Sequence, residues 1–339
     1  MKRIILSLLT LLMAVVGAEA KYWKIGPSSV AGMDFASINA AMGSSNVAKG
    51  DTLYLDQYYN ENEEQTVTKQ VVIIGTGYDT SLTDEQVVAT LTNNLNLKSN
   101  GIIIKSIYLK NVYFYNDNCT LERCYANSIK TKSTTAGKNN IYSCYIDGSF
   151  EGYSSNNYSM MDIQNCLIHG NGGTNCYLNS SVIKYNTIVQ VGWGNCLSYV
   201  TNSDISNNII ISTYHSNYYN DDLHSNVTDS GSGNSIEHNI LSHTSTLSYF
   251  PSNKINYGGS SSELFTQTGN YSDYYKLAEK SAALGYATDG GEVGCHGGMF
   301  GCPSGGRPQY IPYFSKVTVG SRTENGKLPV SVTIKIQDE

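Results

Sequence analysis

The chain has 339 residues, of which 40% are hydrophobic and 15% charged, with a formal net charge of −6. That balance contains no basic stripe and argues against a nucleic-acid partner. With 27 tyrosines, 32 glycines and 6 prolines, it suits one extended protein of many short strands and turns.

Residues 1–20 read as an export signal. Lys2 and Arg3 form a basic start, Ile4 to Val16 is apolar, and Ala18-Glu19-Ala20 has the small-residue pattern of a cleavage site. The apolar run is too short to span a membrane, and no second candidate follows. Lys21 rather than Cys stands after the cleavage point, so no lipid anchor is expected. The mature chain is expected to be monomeric, without a membrane span, and secreted, periplasmic or held at the cell surface.

Met33 to Met42 reads as a short amphipathic helix, with Asp34 as N-cap and Phe35, Ile38 and Met42 at helical spacing. Gly50 to Leu55 and Val71 to Gly75 read as strands, and Ile102 to Phe114 leads into a repeat. The helix is expected to cover the open first rung of that repeat.

From Cys119 to Leu241 one phrase recurs: apolar, two variable residues, Cys or Asn, one variable residue, apolar. It starts at Leu121, Ile141, Ile163, Ile183, Ile205 and Ile236, at spacings of 20, 22, 20, 22 and 31 residues. A period near 20 with β-branched residues at the recurring sites predicts a solenoid. Each unit is too short for a strand–helix pair, so the fold is expected to be all-β, a right-handed parallel β-helix. The apolar pair five residues apart cannot both face inward on a straight strand, because strand side chains alternate. A one-residue bend at Arg123, Ser143, Asn165, Tyr185, Asn207 and His238 resolves this. Cys124, Cys144, Cys166, Asn186, Asn208 and Asn239 then stack as an internal ladder, about 4.8 Å apart. Stacked amides can satisfy one another, and buried Cys acts as a small apolar filler. Each unit also carries a strand before the phrase, at Val112–Tyr115, Cys176–Leu178 and Cys196–Tyr199.

Of the eight cysteines, Cys119, Cys124, Cys144, Cys166, Cys176 and Cys196 follow the repeat and are expected to be buried thiols. Their parallel Cβ vectors do not suit a bridge. Cys295 and Cys302 lie outside the repeat, and with an oxidising destination they are the expected disulfide. Between Ile211 and Ser235 a polar excursion carries His215, Asp221, Asp222 and His224. From Phe314 the alternation of Val317 and Val319, the turn signal Asn325-Gly326, and Val330, Val332, Ile334 and Ile336 predict an antiparallel hairpin. The expected organisation is therefore a signal over 1–20, a β-helix with its helical cap over 21–313, and a hairpin or cap over 314–339.

These features resemble the secreted right-handed parallel β-helix proteins of the pectate-lyase-like superfamily, particularly those of Bacteroidetes. The resemblance rests on Asp34–Met42, Gly50-Asp51-Thr52-Leu53-Tyr54-Leu55, Val72-Ile73-Ile74-Gly75-Thr76-Gly77-Tyr78, the repeated phrase, and Glu292-Val293-Gly294 running into Gly297-Gly298-Met299-Phe300. It implies the fold. The superfamily includes lyases, hydrolases and non-enzymatic surface proteins, so it does not fix an activity. The paired aspartates and Gly-His-Gly of the polygalacturonase-type hydrolases are not matched: Asp221-Asp222 is present, but His296 lies in Cys295-His296-Gly297. No motif transfers the acidic Ca²⁺ cluster of the pectate-lyase type either.

Asp162, Lys184 and Asp204 should share one outer face, with the two carboxylates two rungs, roughly 9.6 Å, apart. That separation lies near the upper edge used by inverting glycosidases. A lyase would use Lys184 as base and the carboxylates to hold Ca²⁺. The bland alternative is a surface charge ladder. His215, Asp221, Asp222 and His224 could bind a metal or a sugar acid, or form a solvated loop. Outward tyrosines, among them Tyr142, Tyr145 and Tyr177, could stack on pyranose rings or simply on one another. Glycan binding or processing is thus the leading expectation. A lyase or hydrolase acting on an acidic polysaccharide, and a non-catalytic structural surface protein, are the alternatives.

Overall fold

A computed structural model describes residues 20–80, 87–132, 137–152, 158–170, 175–190, 195–212, 223–228, 231–242, 252–255, 264–266, 275–302, 305–306, 313–319 and 330–335. Residues 1–19, which fall in the stretch expected to be an export signal, lie outside the described residues.

The first apolar residue of each phrase builds one column through a ten-stranded parallel sheet. In strict register, Trp23, Leu53, Ile73, Ile104, Leu121, Ile141, Ile163, Ile183, Ile205 and Ile236 stand on successive strands from Tyr22–Ile25 to Ser235–Glu237. All but Trp23 are buried. The second apolar residue does the same in an eleven-stranded sheet, where Leu91, Leu109, Ala126, Ile146, Ile168, Ile188, Ile210, Leu241 and Ile255 are in register. The two sheets face each other across one apolar core, and the chain is a parallel β-helix. A third face is built locally by Asn175–Asn179 pairing with Ser198–Thr201. Val112 to Phe114 belongs to the second sheet, within Tyr108–Phe114, and not to this third face with Cys176.

The expected one-residue bend is a left-handed corner. Ser106, Arg123, Ser143, Asn165, Tyr185, Asn207 and His238 all have φ between 50° and 60°. The corner turns the next residue inward and interrupts the sheet's own hydrogen bonding, and the internal ladder repairs it. Asn186 donates its backbone N–H and its amide to Asn208 Oδ1 (2.8 and 3.1 Å). Asn208 does the same to Asn239 (both 2.9 Å), and Asn239 to Asn253 (both 2.9 Å). Each amide also donates to the carbonyl of Ile163, Ile183 or Ile205 at 2.8 Å. Asn253 thus adds a rung that the sequence period did not reveal. Toward the N-terminus the ladder becomes sulfur: the Cys124 N–H meets Cys144 Sγ at 3.5 Å, and Cys166 N–H donates to Asn186 Oδ1. Cys119, Cys124, Cys144, Cys166, Cys176 and Cys196 are buried free thiols. Burial pushes Cys119 up to about 11 and Cys176 to about 12, which keeps them protonated and unreactive.

The N-terminal helix is shorter than its apolar spacing implies. It spans Ile38–Gly43, and Ser37 caps it by accepting from Ala40 N–H at 3.1 Å. Asp34 instead accepts from Lys24 N–H, and Phe35 bridges Ile25. The helix buries Ile38, Ala41 and Met42 in the main core. At the other end, Tyr313–Val319 and Val330–Lys335 pair antiparallel, with Val319 opposite Val330. Their connection, including Asn325-Gly326, lies outside the described residues.

Asn208→Ala removes the acceptor of the Asn186 N–H and the donor to Ile183 O. With about 1–3 kcal/mol lost per orphaned buried group, we expect stability to fall by about 3 kcal/mol. Ser235→Ala, on the exposed face, should move it by less than about 0.5 kcal/mol. Urea unfolding of the two variants measures the difference.

Candidate functional site

The outer face of the first sheet carries two adjacent columns. One runs Thr120, Asn140, Asp162, Val182, Asp204; the other runs Glu122, Tyr142, Gln164, Lys184, Ser206. Asp162, Lys184 and Asp204 do share this face, but they do not converge on a common point. Lys184 Nζ lies 2.5 Å from Asp204 Oδ2, whose other oxygen accepts from Ser206 at 2.8 Å. Asp162 is only 7% exposed and is held by Lys138 Nζ (2.7 Å), Gln164 Nε2 (2.7 Å) and the Tyr142 hydroxyl (3.1 Å). Both carboxylates are engaged by neighbouring side chains, a hydrogen-bonded charge ladder rather than an assembled acid–base pair.

Tyr142 is covered on this face. Phe300 stacks on its ring at 4.1 Å and 5°. Burial, and then the Asp162 carboxylate, raise the phenol well above its ordinary pKa. Phe300 belongs to a strap that runs back along the solenoid and docks on the left-handed corners. Tyr286 packs on His238. Asn207 exchanges hydrogen bonds with Thr288 (2.9 and 3.0 Å) and accepts Gly294 N–H. Tyr185 donates to Asp289, and the Asn165 amide donates to Cys295 O and Gly297 O while its oxygen accepts Phe300 N–H. Ser143 bonds the carbonyls of Phe300 and Gly301, and Gly305 O accepts from Tyr78 and Asp79. Gly298 needs its φ of +71°, and a Cβ there would lie 2.7 Å from Tyr185.

The strap also creates a second, external core. Ile209, Ile240, Val189 and Ile211 point away from the solenoid interior, yet pack on Leu264, Phe265, Leu277, Ala283, Ala287 and Val293. The sequence carried a signal for it. Ile209-Ile210-Ile211 does not alternate, as a strand with one solvated face should, so both its faces must be covered.

Tyr145 stands on the outer face of the second sheet in a stack with Tyr125 (5.4 Å) and Tyr108 (4.3 Å from Tyr125). Parallel rungs bring equivalent rings face to face, so inner members of such a stack offer their edges. The Tyr125 hydroxyl is taken by Asp147 (2.9 Å) and Asn127 (3.0 Å). Tyr113 and Tyr115 lie under Lys132 and Lys98.

Tyr177 and His224 are brought together on the third face, through Tyr199, which the sequence reading did not single out. The row runs Tyr158, Tyr177, Tyr199, His224, with centroid steps of 6.1, 4.9 and 6.2 Å. Tyr158 is 38% and Tyr199 36% exposed. Tyr158 meets Tyr177 perpendicularly, at 89°, and a perpendicular pair leaves both faces of its edge-on ring uncovered by its partner. Tyr177 and Tyr199 have φ of 46° and 56°, a left-handed backbone that costs a bulky residue about 1–2 kcal/mol. Such outliers persist where the surroundings enforce them and gather at functional sites. Asn179, Ser180, Thr201 and Asn202, all polar and uncharged, follow in the chain. His215, Asp221 and Asp222 lie outside the described residues.

Cys295 and Cys302 are neighbours, with sulfurs 3.1 Å apart, and stand here as thiols. Burial disfavours ionisation of Cys295, but the hydrogen bond from Cys302 and the adjacent His296 outweigh it and bring its pKa to about 6. Burial and the Cys295 sulfur drive Cys302 the other way.

No family model, no curated protein and no solved structure matches the chain.

Asn165 makes three of the contacts that seat the strap. With Asn165→Ala we expect amide exchange across 294–301 to speed up by at least about tenfold, the equivalent of one or two lost hydrogen bonds. The Asn186 and Asn208 amides should stay protected. Equal acceleration in both sets would mean that the strap and the rungs open as one unit.

Proposed function

We propose that this protein is an exported β-helix that binds a polysaccharide along its third face, at Tyr158, Tyr177, Tyr199 and His224. The observation that carries the reading is this row of aromatic side chains, with Tyr158 and Tyr199 exposed and Tyr177 and His224 half-buried. Three rung steps advance the backbone by about 14 Å, with ring-to-ring steps of 6.1, 4.9 and 6.2 Å, the reach of a short oligosaccharide. Aromatic side chains give large contact area at low entropic cost, and their polar tips can bond ring hydroxyls. The net negative charge favours a neutral glycan over an acidic one. Export is supported by the pattern of residues 1–20.

Binding without turnover is the preferred form of the proposal. Asp162, Lys184 and Asp204 stand on a different sheet from the row, and their charges are committed to Lys138 and to each other. The kinship with pectate-lyase-like proteins, also part of the proposal, is compatible with this because that superfamily includes non-catalytic members.

Affinity electrophoresis of the purified protein through neutral and acidic polysaccharides, with and without Ca²⁺, tests it. We expect retention by a neutral polymer. The Tyr177→Ala/Tyr199→Ala double variant, with unchanged circular dichroism, should lose affinity by at least about tenfold, or 1.4 kcal/mol. Full retention by that variant would remove the row from the site. Ca²⁺-dependent release of unsaturated sugars that vanishes in Lys184→Ala would replace binding with a lyase on the first sheet.

A further inference from the structure

We propose that Cys295, His296 and Cys302 form a site for one thiophilic d¹⁰ cation, with Zn²⁺ as the reference ion, that clips the strap loop carrying Phe300. The three side chains bring two sulfurs and an imidazole nitrogen within 4.8 Å of one another. A tetrahedral zinc with bonds of about 2.3 Å to sulfur and 2.0–2.1 Å to nitrogen holds its sulfurs roughly 3.7 Å apart. The 3.1 Å pair therefore has to open by only about 0.6 Å to admit the ion. Two thiolates and one imidazole select soft, borderline cations over Ca²⁺ or Mg²⁺, which take oxygen ligands.

The backbone that presents these groups is already fixed. Cys295 N–H donates to Thr187 Oγ1 at 3.1 Å, its carbonyl accepts the Asn165 amide at 3.0 Å, and Gly297 N–H donates to Gly294 O at 3.0 Å. Cys295 is buried, whereas His296 and Cys302 are half-buried. The six other cysteines line the interior of the rungs. A disulfide would use the two sulfurs alone; a metal would use all three side chains. The loop closed by the ion contains Phe300, so the site would hold that ring on Tyr142.

The site stands apart from the aromatic row, and its test does not depend on glycan binding. Full-length mature protein, kept reduced, would be titrated with Co²⁺ and then Zn²⁺. We expect one Co²⁺ per chain with sulfur-to-metal charge-transfer absorption, displaced by one Zn²⁺ at micromolar or lower Kd. Cys302→Ser should abolish the charge-transfer band. His296→Ala should weaken Zn²⁺ at least about tenfold, with the circular dichroism of both variants unchanged. No thiolate band on Co²⁺ addition, or a band that persists in Cys302→Ser, would overturn the site. So would non-reducing mass spectrometry that finds Cys295 and Cys302 bridged in protein taken from its export compartment.

Discussion

Everything in this molecule depends on how each rung gets round its corner. A strand cannot turn two apolar residues five positions apart into the same core without one residue of left-handed backbone, and that residue breaks the pleat. The next residue's N–H would then be buried without a partner, a loss of about 1–3 kcal/mol repeated at every rung. The inward asparagine of the following rung supplies the missing acceptor. Its own amide is satisfied in turn by the rung beyond and by a strand carbonyl. The polar core is tolerable because it is completely connected. At the N-terminal rungs sulfur takes the same place with weaker bonds, and there the aliphatic columns on either side dominate the packing.

The corner column explains a second feature. A left-handed residue points its side chain outward, so Ser143, Asn165, Tyr185 and Asn207 form a line of polar handles along the molecule. The strap uses that line as its track. Because its contacts are made with alternate donors and acceptors of these side chains, its path is set by the same bend that closes the rungs.

The rungs were legible in the sequence because their physics is periodic. Ile141, Ile163, Ile183 and Ile205 recur at near-constant spacing, and Cys or Asn follows at a fixed offset. Asn253 was not legible, because the insertion before it spoils the period. Asp34 looked like an N-cap, but a strand one turn away competes for its carboxylate, and Ser37 is better placed. The candidate site was less legible than the fold. Asp162, Lys184 and Asp204 could be assigned to one face by counting, but counting cannot show that each is already bonded to a neighbour. Tyr199 fits the same period as Tyr177, and its place in a row follows from the rung offset. The strap left only the unalternating isoleucines and a glycine-rich stretch whose role is visible once its partners are.

A solenoid is held together only by neighbours, so its stability is a chain of local terms and its ends can fray one unit at a time. The strap changes that statistics. By touching corners from His238 back to Ser143, and the backbone at Tyr78, it couples rungs that never meet, and opening a middle rung must strain contacts with several others. Unfolding should then approach an all-or-none event. The order of folding is constrained as well: the strap follows the rungs in the chain, so its track must exist before it can be laid. A part made after the rungs becomes the latch, and until it closes the molecule behaves as a stack of semi-independent turns.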